Sequence, residues 1–153
     1  MTRKLLILAA AGGSLALLLG AYGFQHLGGM APCKLCLWQR WPHAAAILIG
    51  ALALALPGRL LPLLGAGAAL TTAGIGIYHT GVENGWWPGP NTCTSGPIGK
   101  LTPQELMDQI MAAPLVRCDD IPWQMLGLSM ASWNAVASIL LATLWILAAR
   151  RTA

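Results

Sequence analysis

Cys33 and Cys36 form a Cys-Lys-Leu-Cys motif directly ahead of a long apolar run, and Cys93 and Cys118 lie in the one long polar segment of the chain. Two intervening residues let both sulfurs of a Cys-x-x-Cys motif meet when the second cysteine enters a helix. The positive end of the helix dipole then favours a thiolate. Arg40 follows Cys36 by one helical turn, where its charge would favour that thiolate or any anion formed beside it. A charge so close to a hydrocarbon boundary is costly, which suggests a purpose, the alternative being that the side chain snorkels to the headgroups. Thiols facing an oxidising compartment read as two redox-active pairs, so the chemistry these residues suit is thiol–disulfide exchange at a membrane surface.

Other uses of the cysteines fit less well. Covalent haem attachment needs a histidine after the second cysteine, and residue 37 is Leu. A four-cysteine zinc site needs short spacing in both pairs, yet 24 residues separate Cys93 from Cys118. No metal is expected. A non-catalytic membrane protein whose outer loops are stapled by two disulfides is the alternative from another class. It gives no reason for an arginine one turn beyond the motif. His79, at the end of the third apolar run, could give a proton or hydrogen bond to a cofactor near Cys36, or simply be an interfacial polar residue. His43 and His26 read as structural.

The elements that must position these groups are set by composition. The 153 residues are 56% hydrophobic and 9% charged, against roughly 25% charged in a soluble domain. The net charge of +4 comes from basic residues scattered in ones and twos, which is no footprint for nucleic acid. Apolar runs at about 5–24, 37–56, 60–80 and 132–149 each approach the length of a membrane span. The first is longer than a signal-peptide core and has no clear cleavage site, so it is expected to be retained. The fold expected is an all-α membrane protein: a single integral-membrane domain over residues 1–153, built as a four-helix transmembrane bundle.

Arg3 and Lys4, Arg59, and Arg150 with Arg151 fall on one side if the spans alternate. Basic residues in short flanks favour the cytoplasm, so both termini are expected inside. The outer side then receives loops of about 25–36 and 81–131, with every cysteine and every acidic residue. Trp38, Trp41, Trp86, Trp87, Trp123 and Trp133 fall near the outer boundaries, as an interfacial belt would, and Trp145 lies toward the inner end of the fourth run. Gly12, Gly13 and Ser14 in the first run and Gly65, Gly67, Gly74 and Gly76 in the third would allow close helix approach. In the long loop, Thr102-Pro103-Gln104-Glu105 is a capping-box start for a short amphipathic helix carrying Leu106, Met107, Ile110 and Met111. Turns at Pro88–Asn91 and Ser95–Pro97 put Cys93 on irregular backbone, expected to be accessible and mobile.

The segment from Pro32 to Arg40, Pro-Cys-Lys-Leu-Cys-Leu-Trp-Gln-Arg, resembles the Pro-Cys-x-x-Cys-x-x-x-Arg segment of the bacterial disulfide-bond formation protein B (DsbB) family. The resemblance continues through Tyr78-His79 and Trp86-Trp87-Pro88-Gly89-Pro90 to Cys93, then to Cys118 and Leu126-Gly127-Leu128-Ser129-Met130. It implies a bacterial inner-membrane enzyme with periplasmic cysteines that reoxidises a periplasmic thiol oxidase of the DsbA type. The electrons would pass to a membrane quinone, ubiquinone or menaquinone. Carried over by position, Cys93 would form the mixed disulfide with the partner and Cys118 would be its loop partner. Cys33 would exchange with Cys118, and Cys36 would face the quinone. Arg40 would lie beside the quinone, with His79 a weaker candidate for the same site.

Overall fold

The structure, a computed structural model, describes residues 1–94, 102–112 and 116–151. The expected turn at Ser95–Pro97 lies outside the described residues. Four long helices follow the apolar runs: α1 (Arg3–His26), α2 (Lys34–Ala55), α3 (Leu60–Glu83) and α5 (Met130–Arg150). A short α4 (Pro103–Ala112) lies in the long loop. A two-residue hairpin, β1 (Gln124–Met125) and β2 (Leu128–Ser129), leads into α5. Helix α3 packs on α2 and α5, and α1 closes the ring by packing on the same two.

By length and apolarity, α1, α3 and α5 can each cross a membrane, and the remaining expected span, at about 37–56, falls on α2. Helix α2 has 22 residues, but Gln39, Arg40, Pro42 and His43 dilute its first half. Pro42 also removes a backbone donor from the helix interior. The observed helices run a turn beyond the expected limits in places. Extending α3 from residue 80 to Glu83 matters most, because it carries that carboxylate onto the His79 face. Outward-facing Leu8, Leu19, Leu48, Leu70 and Leu140 are exposed, the surface that lipid rather than water would cover.

The core lies where Ile7 and Ala10 of α1, Ala53 of α2, Ala66 and Ala69 of α3, and Leu141 and Trp145 of α5 meet. Trp145 is fully buried, with its ring on Gly65, where an added Cβ would sit 2.6 Å from the indole. The small residues divide by face: Ser14, Gly65 and Gly76 are buried, and Gly13 abuts Leu141. Gly12, Gly67 and Gly74 look onto open space, so only part of the small-residue pattern mediates packing. At the end away from the cysteines, Arg3 donates to the carbonyls of Ala53, Leu56 and Gly58. It thereby satisfies acceptors left free where α2 ends.

The expected capping box forms. Thr102 N–H donates to Glu105 Oε2 at 2.8 Å, and Glu105 N–H to Thr102 Oγ1 at 3.4 Å. The hairpin was not anticipated. Its turn takes positive φ at both central residues, 54° at Leu126 and 77° at Gly127, as a two-residue hairpin turn requires, though only glycine adopts this without strain. Trp133 Nε1 donates to Met125 O and ties the hairpin to α5.

Gly65→Ala is expected to lower the thermal midpoint in detergent, by an overpacking cost of about 1–3 kcal/mol. Gly67→Ala, which meets nothing within 4 Å, is expected to leave the midpoint unchanged or raise it. A melting curve of each variant, followed by tryptophan fluorescence, checks the contrast.

Candidate functional site

Cys33 is the N-cap of α2, and its sulfur accepts the Cys36 N–H at 3.2 Å, so one thiol occupies the helix start and the other its first turn. The two sulfurs are 2.7 Å apart and not bonded. Cys33 lies outside the helix proper and is buried. Its hydrogen bond to the Cys36 sulfur, followed by burial, pushes the Cys33 thiol far above the ordinary thiol range.

Cys93 and Cys118 form a disulfide with Cα atoms 5.3 Å apart. The expectation that Cys93 is accessible is corrected: it is 2% exposed, packed with Cys33, Leu35, Val82 and Cys118. The reason lies in the preceding segment. Trp87 Nε1 donates to Tyr78 O at 2.8 Å, Tyr78 Oη donates to Pro88 O at 3.0 Å, and the two rings stack. The turns therefore fold the chain back over the end of α3 and deliver Cys93 onto the Cys-x-x-Cys end of α2. All four cysteines gather in one place.

His79 is buried and lies 3.6 Å from Cys33 Sγ, so it serves the buried thiol more closely than the site near Cys36 where it was expected. Its orientation is set by residues that sequence reasoning missed. Asn134 Nδ2 donates to Gln39 Oε1 at 2.7 Å, which leaves the Gln39 amide N–H to face His79 Nδ1 at 3.0 Å. The imidazole proton then resides on Nε2, which faces Cys33 and, at 3.7 Å, Glu83 Oε1. Asn134 also bonds Thr72 Oγ1 and His43 Nε2, and Thr72 Oγ1 donates to the Gln39 carbonyl. Glu83 Oε2 accepts a short hydrogen bond from Ser129, the cap of α5. The one available signal was spacing: Glu83 stands four residues after His79 on the same helix face.

A cavity of about 360 Å³ opens beside Cys36. Leu17, Gly20 and Phe24 of α1 and Trp123 of the loop form its apolar side, and Cys36, Arg40, His79 and Asn134 its polar side. Arg40 is held there by donating to Gln25 Oε1 at 2.6 Å and lying 4.8 Å from the Tyr22 ring centroid. The arrangement offers an apolar slot, one half-exposed sulfur and a fixed cation at its edge, with a second sulfur behind.

In protein reduced throughout, iodoacetamide is expected to modify Cys36 well before Cys33, because Cys33 is buried and its proton is held by the Cys36 sulfur. Peptide mass spectrometry after timed quenching reads the order, and equal rates at the two positions would contradict this geometry.

The DsbB family, described as disulfide bond formation protein DsbB, matches residues 3–148 of the chain. A disulfide bond formation protein B of Pasteurella multocida is 31% identical over 90% of this chain and 84% of that protein. A protein of the same name from Shewanella sp. strain MR-4 is 30% identical over 82% of this chain and 75% of its own length. Another from Haemophilus ducreyi is 33% identical over 74% and 67%. No solved structure matches the chain significantly. With the family match spanning nearly every residue that builds the bundle and all four cysteines, the chain belongs to the DsbB family of disulfide bond formation proteins.

Proposed function

We propose that the protein is a quinone-dependent oxidase of a periplasmic DsbA-type thiol oxidase, embedded in a bacterial inner membrane. The observation that carries this reading is the half-exposed Cys36 sulfur at the mouth of an apolar cavity, with the buried Cys93–Cys118 disulfide packed against its partner Cys33. A structural staple needs no such slot, and in the stapled-loop alternative Cys33 and Cys36 would also be bonded, whereas here they are free.

Helix α2 is read as the fourth span, since it closes the ring with three helices that are apolar enough to cross. Arg3 bonds the carbonyls at the α2–α3 turn, so the chain's start and Arg59 share one end, and the cysteines lie at the other. Basic flanks at the first end favour the cytoplasm and leave the cysteines periplasmic.

The residues lining the cavity fit a quinone head: apolar walls for a ring, with few polar groups at one edge. When bound, a quinone supplies an acceptor for two electrons and two protons. The chain's own residues do the rest. A thiolate of the reduced partner bonds to Cys93 Sγ and breaks the Cys93–Cys118 bond, and the partner's second thiol releases it as a disulfide. Cys118 then attacks Cys33 of an oxidised Cys33–Cys36 pair, with Cys36 leaving as the thiolate. Resolution by Cys93 restores the Cys93–Cys118 disulfide and leaves Cys33 and Cys36 as thiols, the bonding seen in the structure. Two electrons leave through Cys36 as the Cys33–Cys36 bond reforms. His79 Nε2 stands where it can take and pass on the Cys33 proton. Arg40 stabilises negative charge at the cavity edge. Because Cys93 is buried, the loop that carries it must move for the partner to reach its sulfur.

The test is quinone reduction by purified protein given a reduced DsbA-type partner, with ubiquinone and menaquinone supplied in turn; no turnover with either would sink the reading. Arg40→Ala is expected to slow quinone reduction by roughly 100- to 1,000-fold, the scale of losing a fixed donor at developing charge. Single-turnover oxidation of the partner by the same variant should stay near wild type. A reduced partner lacking its second thiol should instead accumulate a disulfide-linked complex through Cys93 of the oxidised protein, because nothing in the partner can then release it, visible on a non-reducing gel.

A further inference from the structure

The reduced Cys33–Cys36 pair does not stand alone. Cys33 Sγ, Cys36 Sγ and His79 Nε2 all lie within 4.8 Å of one another. The Glu83 carboxylate approaches from the next turn of α3, 3.7 Å from the same imidazole nitrogen, with its side chain 2% exposed. Among the described residues no lysine or arginine pairs with Glu83, and Arg40 is engaged by Gln25 and Tyr22. Two sulfurs and an imidazole thus converge, and the buried carboxylate beside the imidazole, which accepts from Ser129, has no cation against it, whereas buried charge of this kind is ordinarily paired or metal-bound.

We propose that the reduced pair, together with His79 and Glu83, is a binding site for one thiophilic d¹⁰ divalent cation of the zinc or cadmium class, and that the oxidised pair is not. A tetrahedral S₂NO site places ligand atoms roughly 3.3–3.8 Å apart, given bond lengths near 2.0–2.3 Å. The Cys33–His79 distance of 3.6 Å already falls there. The sulfur pair at 2.7 Å must open by about 1 Å, which the partly exposed Cys36 side chain can supply. Binding displaces one proton from each thiol, so both sulfurs enter as thiolates and no electron moves. Forming the Cys33–Cys36 disulfide removes both anionic ligands and releases the ion. The second shell is present too. If the Gln39 and Asn134 carboxamides both turn end for end, His79 Nδ1–H donates to Gln39 Oε1 and frees Nε2 to ligate. This donor set differs from the four-cysteine site that sequence spacing argued against, and it departs from the expectation of no metal. Occupancy would hold the pair reduced and block its reoxidation, so the site is redox-gated and inhibitory.

The experiment titrates cadmium into the chelator-washed full chain in detergent, reduced or oxidised, and follows the ultraviolet sulfur-to-cadmium band with proton release. It needs neither quinone nor partner, so its outcome is independent of the proposed electron acceptor. Expected are one tight equivalent and two protons per reduced chain, no band from the oxidised chain, and loss of the tight site in Cys36→Ser. Glu83→Gln and His79→Gln, the first nearly isosteric, should each weaken binding by at least about 10-fold, the least that even the loss of a second-shell partner costs. Unchanged tight binding in Cys36→Ser would place the ion on Cys93 and Cys118 and overturn the proposal. Full affinity in both Gln variants would reduce the site to simple dithiol chelation, and it too would overturn it.

Discussion

A helix face turned into hydrocarbon has no water with which to satisfy a polar group, so a cluster of polar side chains carried into a bundle is best accommodated by partners on neighbouring helices. Gln39 and His43 on α2, Thr72 and His79 on α3, and Asn134 on α5 answer that requirement with one continuous set of hydrogen bonds. Each donor and acceptor constrains the rotation of its helix about its own axis, because a slip of one residue would leave a buried amide unpaired. Such a loss costs about 1–3 kcal/mol per group. The network therefore fixes α2, α3 and α5 near the cysteines, much as Trp145 on Gly65 fixes them at the opposite end. It also sets the proton on His79 toward Cys33.

The division of labour between the two thiols of the motif follows from that fixed frame. Cys33 serves the fold as a helix cap and lies in the cluster shared with Cys93 and Cys118, whereas Cys36 faces the cavity. One sulfur faces the loop pair and the other the cavity, a separation that arises because the helix starts between the two cysteines. Arg40 adds positive charge on the cavity side alone. The burial of the Cys93–Cys118 disulfide shields it from thiols in solution.

Much of this was legible in the chain because it is local. The long apolar runs, the Cys-x-x-Cys at a helix start, the Thr102–Glu105 capping box and the position of Arg40 one turn on are all features of near neighbours. The reduced apolarity of α2 was equally visible in Gln39, Arg40, Pro42 and His43, yet an apolar run judged by its ends conceals a polar half. What spacing could not reveal were pairings across helices: Glu83 with Ser129, Gln39 with His79 and Asn134, Thr72 with the Gln39 carbonyl. Turn residues before Cys93 announced irregular backbone without saying where it would lead, and the stacking of Trp87 on Tyr78 carried the cysteine inward. Glycines at helical spacing likewise did not disclose which of them, Gly65 or Gly67, would face a neighbour.

The central claim is directional: reducing equivalents received by the loop pair come to rest on the pair beside the cavity. Its most direct test mixes fully oxidised, quinone-free protein with one equivalent of a reduced DsbA-type partner under anaerobic conditions, followed by acid quenching, alkylation and peptide mass spectrometry. Label on Cys33 and Cys36, with Cys93 and Cys118 still joined, is the expected result. Label confined to Cys93 and Cys118, with Cys33–Cys36 remaining oxidised, would contradict it.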